Sequence, residues 1–585
     1  MKSFFKTFFA ALLALLVFSI LGCIILYGIA NQLSDTGDDK VGSKAVLVID
    51  LGQTYKEQRQ ESVLTSLSGA KGTSIPGLYE TVRLINYAKT DNNIKGIFVK
   101  CNNDNNGFAS SEELRQALVN FKISGKFILA YGDAIAQKSL YVASAAHAVY
   151  CNPKGTLYWK GLATTITFIK GTLDRLDIQP QIFYAGKFKS ATEPLRETKM
   201  TDANRLQTAV WLNDLFTQMI TVIGKARNID TVLLRKYAND ATIQTPYKAA
   251  TLKLIDAVKY DDEVKDIIKQ KLNIEKKEEI NFVSINRYAD AVSLSKGAHK
   301  EKIALIYAQG DIVDGKGTDD EIGGETFKDL IQNARLDEDV KAIVVRVNSP
   351  GGSSMASELM WRELSLAKKE KPVILSFGDY AASGGYYIAC DADSIFAEPN
   401  TITGSIGVFV IMPNAKNFFN NKLGITFDGV KTSNYADIGS ISRPLNDIEK
   451  TFVQNAIDSI YVDFKVRVSA GRKKSMSFVD SIAQGRVWSG ERALQIGLID
   501  KIGNLQQAVD CAARMAKLKN YHLKEYPEAK SLFEKLFNEY KRNTKIVAIK
   551  EEIGEMQYTL FKQLQWIHAI SGIKQSRLPY QIEIE

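Results

Sequence analysis

The sequence has few of the residues on which most hydrolases and metalloenzymes depend. Its 585 residues include four His and five Cys, and none of them stands in a C-x-x-C or H-E-x-x-H arrangement. A zinc site is therefore not expected, and no metal or other cofactor is predicted. A Ser-His-Asp triad is disfavoured too, because no His lies between residues 300 and 521. Any general base is expected to be another residue type.

The chain also lacks a long block of like charge. Its 75 Lys and Arg residues face 66 Asp and Glu residues, which leaves a net charge of +9. A nucleic-acid partner is therefore not expected. Hydrophobic residues make up 45% and charged residues 24%, as in ordinary folded proteins, so the length predicts a mostly soluble chain of several domains.

The longest apolar run lies at the N-terminus. Residues 8–27 are almost wholly apolar, and Lys2 and Lys6 precede them. About 20 residues of helix cross the ~30 Å hydrocarbon core of a bilayer, and basic residues mark the cytoplasmic flank. Residues 1–44 are therefore predicted to form a single-pass membrane anchor with a cytoplasmic N-terminus. A signal peptide cleaved near residues 28–30 is the alternative.

An internal repeat follows with a constant offset of 246 residues. The segment IKGIFVKCN at 94–102 aligns with VKAIVVRVN at 340–348, and KFILAYGD at 126–133 aligns with PVILSFGD at 372–379. A chance match that needs no gap over such a length is very improbable. The sequence therefore contains two copies of one domain in tandem.

Each copy alternates Val- and Ile-rich runs with helical patterns, which predicts an α/β domain with buried parallel strands. We place the first copy at 45–295 and the second at 296–520. The remaining residues, 521–585, mix Lys, Glu and aromatics at helical spacing and contain no chemical motif. They are predicted to form a helical tail that packs on the body or on a partner subunit.

The copies differ where chemistry is expected. In the second copy, small residues at 381–385 open a helix directly after a strand, and Ser383 lies among them. The free N–H groups of a first helical turn stabilise developing negative charge, so this position suits a nucleophile. The first copy has Gln137 at the matching position. An N-cap is the ordinary role of such a serine.

A pair of glycines, Gly351 and Gly352, follows the middle strand of the second copy. Successive glycines let the backbone approach a ligand closely with free N–H groups, as an oxyanion hole requires. The first copy has the polar residues 103–106 instead, so the paired glycines are also confined to the second copy.

A lysine shows the opposite pattern. Lys189 lies in the first copy, and the second copy has no lysine at the equivalent place. The simplest hypothesis is one joint site in which Lys189 is the base for Ser383. Burial in an apolar cleft would lower the lysine pKa far enough for a neutral amine near pH 7. Ser405 is a candidate to orient that amine, and Lys187 remains an alternative base.

Four motifs together resemble the signal peptide peptidase A (protease IV) family in its long, duplicated form. They are NSPGGS (348–353), GDYAASGGYYIA (378–389), TGSIGV (403–408) and, in the first copy, GKFKSATEPL (186–195). The resemblance implies tandem ClpP/crotonase-like domains in a membrane-anchored oligomer, a tetramer in the family. It implies catalytic domains on the periplasmic side of the inner membrane.

The resemblance also assigns roles and an activity. It implies that Ser383 is the nucleophile, Lys189 the general base and Ser405 the hydroxyl that orients the lysine. The oxyanion amides would be those of Gly351 or Gly352 and of Gly384. The implied activity is endoproteolysis, through an acyl-enzyme, of signal peptides that remain in the membrane and of similar apolar peptides. A crotonase-type acyl-CoA enzyme and an inactive membrane-anchored scaffold are the alternatives.

Overall fold

A computed structural model describes residues 2–33, 41–60, 74–292, 294, 299–528 and 572–578. Within the first of these ranges, side chains are described only for residues 6 and 8–22. The architecture is mixed α/β, with one parallel sheet, one mainly parallel sheet whose edge strand is antiparallel, and a third sheet that joins the two copies.

The first sheet belongs to the first copy and has the strand order β6-β4-β3-β2-β1-β7, with every pair parallel. The first seven strands are β1 (Ala45–Asp50), β2 (Ile94–Lys100), β3 (Phe127–Ile135), β4 (Ala148–Leu157), β5 (Gln181–Ala185), β6 (Ala257–Val258) and β7 (Phe282–Ser284). Both faces of the central strands are covered, which explains their continuous apolar runs.

The second copy repeats this arrangement. Its strands are β8 (Lys302–Gln309), β9 (Asp311–Val313), β10 (Glu321–Gly323), β11 (Val340–Ser349), β12 (Gly351–Ser353), β13 (Val373–Ala382), β14 (Ser394–Ala397), β15 (Ile402–Gly404), β16 (Val408–Met412), β17 (Val487–Ser489), β18 (Lys501–Ile502), β19 (His522–Tyr526) and β20 (Gln575–Arg577). The main sheet has the order β17-β15-β13-β11-β8-β19, and β14 and β18 branch from β13. The strands β2 and β11, which carry the aligned repeat, hold the same central place in their sheets.

The described helices follow in chain order. They are α1 (Lys2–Leu33), α2 (Leu78–Ala88), α3 (Phe108–Lys122), α4 (Gln137–Ala143), α5 (Lys170–Arg175), α6 (Glu193–Arg196), α7 (Asp202–Arg227), α8 (Thr231–Asn239), α9 (Pro246–Thr251), α10 (Asp261–Leu272), α11 (Ile285–Ala291), α12 (Gly324–Leu336), α13 (Ser354–Ala367), α14 (Gly384–Ala389), α15 (Asp447–Arg472), α16 (Met476–Ile482), α17 (Gly490–Gln495) and α18 (Leu505–Met515). A 3₁₀ turn (Ser190–Thr192) and a π-helical turn (Phe418–Lys422) complete the described elements.

The third sheet joins the copies, with the order β10-β9-β12-β20-β16-β5. Strand β5 leaves the first copy and pairs antiparallel with β16 of the second, from Ala185 opposite Val408 to Gln181 opposite Met412. The loop that follows β5 is thereby carried into the second copy, and this loop contains Lys189.

The prediction of a helical tail at 521–585 is wrong for the parts that the structure describes. Strand β19 pairs parallel with β8 and occupies the place that β7 holds in the first copy. The second copy therefore extends past residue 520. Strand β20 lies in the third sheet. The lysine- and aromatic-rich stretch at 531–542 lies outside the described residues.

Buried polar contacts also tie the copies together. The Arg346 guanidinium is fully buried and contacts Glu57 at 3.0 Å and Glu113 at 2.6 Å, both from the first copy. Burial, with the charge of Glu57 nearby, raises the pKa of Glu113 to about 7 although Arg346 opposes this shift. The Asp379 carboxylate accepts hydrogen bonds from Ala109 N and Ser110 N, at the start of α3. Two charged residues of the second copy, Arg346 and Asp379, thus find ion-pair or hydrogen-bond partners in the first copy.

The helix α1 lies at the predicted anchor. Its described apolar side chains are exposed, among them Phe9, Leu13 and Phe18. Among the described residues, no helix combines the length and apolar character that a bilayer crossing needs. The alternative cleavage region at 28–30 falls where no side chain is described.

Candidate active site

Ser383 lies at the junction between β13 and α14. Its backbone has φ 54° and ψ −112°, a conformation that L-residues rarely adopt and that costs about 1–3 kcal/mol. The Ser383 N–H donates to Gly404 O at 2.7 Å, which helps hold the sharp turn. The side chain is fully buried. Such a turn directs the hydroxyl away from the helix axis toward neighbouring elements.

The small residues around Ser383 are required by close packing. A Cβ at Gly384 would lie 2.6 Å from Ser357 Oγ, and one at Gly385 would lie 3.0 Å from Ser349 O. Any larger residue at either position would push α14 away from the end of β11 and from α13. The glycines therefore permit the nucleophile position and the candidate oxyanion loop to touch.

Lys189 reaches Ser383 from the first copy. Its Nζ lies 2.8 Å from Ser383 Oγ and 3.1 Å from both Oγ and O of Ser405. The lysine is 1% exposed, and burial lowers the pKa of its ammonium well below the ordinary value of 10.5. No charged group of the described residues contributes to that shift, and burial favours the neutral amine over the ammonium.

The three contacts match the bonding capacity of a neutral amine. Such an amine has two N–H donors and one lone pair. Donation to the two oxygens of Ser405 leaves the lone pair free to accept the Ser383 O–H. Ser405 has φ 52°, and its N–H donates to Arg486 O at 2.7 Å, so this residue is also held in an unusual backbone conformation.

Gly351 and Gly352 lie beside the first turn of α14, next to Ser383. Both have positive φ, at 100° and 158°, and Gly352 N lies 3.2 Å from the point where a Cβ of Gly384 would stand. The Gly351 N–H donates to Ser349 Oγ at 3.2 Å. The amides of Gly352 and Gly384 are therefore the pair best placed to donate to an oxyanion.

The alternative base, Lys187, has an exposed side chain whose Nζ lies 5.9 Å from the centre of the Phe188 ring. It does not enter the site. Among the described residues, no group of three or more His, Cys, Asp or Glu side chains could hold a metal ion.

Two residues that support the lysine were missed from the sequence. Gln207 of α7 is buried and donates to Phe188 O at 3.0 Å, and its side-chain oxygen accepts from Val487 N at 3.2 Å. Gly485, at φ 74°, packs so closely that a Cβ would lie 2.6 Å from Lys189 N. A glutamine on a helix and a glycine in a loop carry no distinctive pattern, so no sequence signal pointed to them.

Comparisons with known proteins identify the family of this chain. The model of peptidase family S49 matches twice, at residues 120–275 and 365–519. Protease 4 of Salmonella typhi is 34% identical over 529 residues, which cover 88% of this chain and 85% of that protein. Protease 4 of Haemophilus influenzae is 32% identical over 496 residues, or 81% and 79% of the two chains.

A plant relative extends the comparison. The chloroplastic serine protease SPPA of Arabidopsis thaliana is 31% identical over 459 residues, which cover 76% of this chain and 66% of that protein. With two matches to one family model and long relatives of this kind, the chain belongs to peptidase family S49 and is a serine peptidase.

Proposed function

We propose that this protein is a membrane-bound endopeptidase that uses Ser383 and Lys189 as a catalytic dyad. The observation that carries the proposal is the 2.8 Å contact between Lys189 Nζ and Ser383 Oγ, in a site where no carboxylate of the described residues pairs with the lysine. A neutral amine at that distance is placed to take the serine proton as the hydroxyl attacks.

The reaction follows from the positions of these groups. Ser383 Oγ bonds to the carbonyl carbon of the scissile peptide while its proton passes to Lys189. The amides of Gly352 and Gly384 hold the oxyanion of the tetrahedral intermediate. Lys189 then returns the proton to the leaving amine, and an ester to Ser383 remains.

Hydrolysis of the ester uses the same groups. A water molecule gives its proton to Lys189 and attacks the ester carbonyl, and the proton returns to Ser383 Oγ as the acid product leaves. Ser405 holds the amine during both halves, since its two oxygens accept the two N–H groups. The net reaction consumes one peptide bond and one water, and needs no cofactor.

We further propose that the substrates are remnant signal peptides and similar apolar peptides. The relatives named Protease 4 and SPPA support this class, and so does the family's implied activity. The fold of each copy is then of the ClpP/crotonase type. A homo-oligomer, a tetramer in the family, is part of the same proposal, and native mass spectrometry in detergent tests it.

The anchor is proposed at 1–44, in the inner membrane, with the catalytic domains in the periplasm. The exposed apolar side chains of α1, such as Phe9, Leu13 and Phe18, support it because they need a nonpolar environment. Alkaline carbonate extraction should leave the full chain in the membrane pellet and release a chain that lacks 1–44. Release of both would contradict the anchor.

A serine-directed fluorophosphonate tests the dyad. Peptide mapping should find the label on Ser383, and Lys189→Ala should abolish labelling because it removes the amine that lies 2.8 Å from Ser383 Oγ. Lys187→Ala is the matched control, since that lysine is two residues away and exposed, and it should label like the wild type. Full labelling of Lys189→Ala would contradict the dyad.

A further inference from the structure

A carboxyl group is buried at the joint between the copies with too few hydrogen-bond donors around it. The Glu398 side chain of the second copy, directly after β14, is fully buried. One of its oxygens accepts from Gln116 Nε2 of the first copy at 3.1 Å, and the other has no partner among the described residues. The buried side-chain oxygen of Asn400 has no partner there either. Two buried acceptors without a donor are unfavourable as they stand.

The charges around Glu398 are unbalanced. Glu112 and Glu113 of α3 face it from the first copy, and their charges oppose its ionisation. Glu112 contacts Arg115 at 2.7 Å. Glu113 contacts Arg346 at 2.6 Å, so neither guanidinium forms an ion pair with Glu398. The charged and titratable side chains of this cluster are five carboxyl groups, two guanidinium groups and one phenol, namely Glu57, Glu112, Glu113, Asp379, Glu398, Arg115, Arg346 and Tyr141.

A proton on Glu398 resolves both the missing donor and the excess of negative charge. Burial, together with the charges of Glu113 and Glu112, raises the pKa of Glu398 well above its ordinary value of 4.5 although Arg346 opposes this shift. A neutral carboxyl group supplies one O–H donor in a place where two acceptors lack one. It also adds no repulsion toward α3 of the first copy.

A short segment of chain connects Glu398 to the active site. Glu398 O accepts from Thr401 N at 3.1 Å, and Thr401 O accepts from Gly490 N at 2.8 Å. A Cβ at Gly490 would lie 2.0 Å from Glu398 O, so this turn is closely packed. Strand β15 follows the turn and leads directly to Ser405, whose oxygens hold Lys189. A shift of the turn against α3 would therefore move the Ser405 side of the site relative to the copy that supplies the lysine.

We propose that Glu398 is a positioning residue that carries a proton in the active enzyme and thereby keeps the two copies closed against each other. When the proton is lost, the carboxylate faces Glu112 and Glu113 across the joint, and repulsion moves Lys189 away from Ser383. The effect on activity rests on the proposed function, because it takes these two residues as the dyad. Activity is then confined to a pH window, with Lys189 setting its acid side and Glu398 its alkaline side.

The pH profile of peptide hydrolysis by the full chain in detergent tests the effect on activity. Above the pKa of Glu398, the wild-type kcat/KM should fall by up to about tenfold per pH unit. Glu398→Gln stays neutral, as does Asn152 at the matching position of the first copy. This variant should therefore remain active on the alkaline side and keep the acid side that Lys189 sets. The same alkaline fall in wild type and variant would overturn the proposal.

Two further variants make this test specific. Glu491→Gln is the matched control, because Glu491 is exposed and its N–H donates to Pro399 O beside Glu398. It should follow the wild type at every pH. Glu112→Gln leaves Glu398 in place and removes a charge that faces it, so the alkaline fall should move to lower pH. A shift to higher pH, or no shift, would overturn the role of the facing charges.

Stability provides a test that does not depend on catalysis. Because the folded chain holds the Glu398 proton more tightly than the unfolded chain, the wild type loses stability as the pH rises from 4.5 to the folded-state pKa. Glu398→Gln lacks this loss. The unfolding equilibrium constant of the wild type, divided by that of the variant, should therefore grow by up to about tenfold per pH unit over this range. A ratio that is independent of pH would overturn the proposal.

Infrared difference spectroscopy observes the proton itself. The spectrum of the wild type minus that of Glu398→Gln should contain the C=O stretch of a neutral carboxyl group at neutral pH. A carboxylate band in its place would overturn the proton on Glu398. Absence of peptide hydrolysis in the wild type at every pH would overturn the proposed function, whereas the infrared and unfolding results would still decide whether Glu398 carries the proton.

Discussion

The two copies share one sheet order but differ at the start of the helix that follows their third strand. In the second copy, Ser383 has φ 54° at the end of β13. In the first copy, the matching Gln137 already lies in α4, and the residue before it, Ala136, is ordinary extended backbone at φ −69° and ψ 150°. The Gln137 side chain hydrogen-bonds to Gly161 O. The strained turn is therefore absent from the first copy.

The space for an oxyanion differs in the same way. The first copy has Asn106 and Lys138 where the second has Gly352 and Gly384, and Lys138 Nζ donates to Asn106 O. In the first copy, side-chain atoms of Lys138 therefore occupy the place that corresponds to the candidate oxyanion hole. One copy has thus become a relaxed scaffold that contributes Lys189 on a loop, while the other retains the strained and open parts. Duplication lets one copy lose this strain without loss of the site.

The largest effect should come from the one reactive group that the first copy contributes. Because protonated Lys189 cannot accept a proton, activity is present above its folded-state pKa and is lost as the pH falls through that value, by about tenfold per pH unit. Lys189→Met should reduce kcat/KM at least about 10³-fold at pH values above that pKa, and by less below it. The pH dependence of the wild type and the activity of Lys189→Met are both measured by peptide hydrolysis across a pH series.

Stability supplies the control for this variant. Because burial lowers the pKa of Lys189, the unfolded chain binds the proton more tightly than the folded chain below pH 10.5. The melting temperature of Lys189→Met should therefore exceed that of the wild type, by a margin that grows as the pH falls from 10.5. A pH-independent rate, or a less stable Lys189→Met, would contradict the neutral buried amine.

An intermediate effect is expected from a pair of glycines with matching backbone angles. Gly485 has φ 74° and touches the Lys189 backbone, whereas Gly125 in the first copy has φ 76° and nothing within 4 Å of an added Cβ. Both substitutions to Ala strain the backbone equally. Only Gly485→Ala should lower kcat/KM, by about 10- to 100-fold, because it displaces the base. Similar kinetics for the two variants would refute this positioning role.

The smallest effect concerns stability at the joint. Asp379 accepts the first N–H groups of α3 from the other copy, while its repeat counterpart, Asp133, contacts Tyr131 and Asn152 within its own copy and is exposed. Asp379→Ala should lower the free energy of unfolding by about 1–2 kcal/mol, as the loss of a helix cap does. Asp133→Ala should change it by under about 0.5 kcal/mol. Denaturant titration measures the free energy of unfolding of both variants. Equal losses would show that Asp379 stabilises the joint no more than Asp133 stabilises its own copy.

The duplication explains how much could be predicted from the sequence. The fixed offset of 246 aligned Ser383 with Gln137, and the complementary loss of the serine and the lysine indicated one joint site. The structure places Lys189 Nζ, Ser383 Oγ and Ser405 Oγ in contact. The contact required β5 to pair with β16, and no local pattern encodes a pairing between strands over 200 residues apart.

The C-terminal part was harder for a related reason. Strand β19 buries only Tyr526 fully, so its sequence HLKEY lacks the apolar run of a central strand. Strand β20 is only three residues long and polar, and it pairs with β12 through main-chain atoms. Its sequence therefore shows no alternation of apolar and polar residues that would indicate a strand. Neither could be recognised from composition, and the helical prediction for 521–585 followed from the residues between them.

The pairing of β5 with β16 has a consequence for biosynthesis. The ribosome makes Lys189 long before it makes Ser383, and the loop with Gly485 that packs on the lysine comes later still. At 5–20 residues per second, the delay is on the order of tens of seconds. Throughout that interval Lys189 has neither Ser383 nor the second-copy groups that bury it and lower its pKa, so no complete dyad exists until the second copy has been made and has folded against the first.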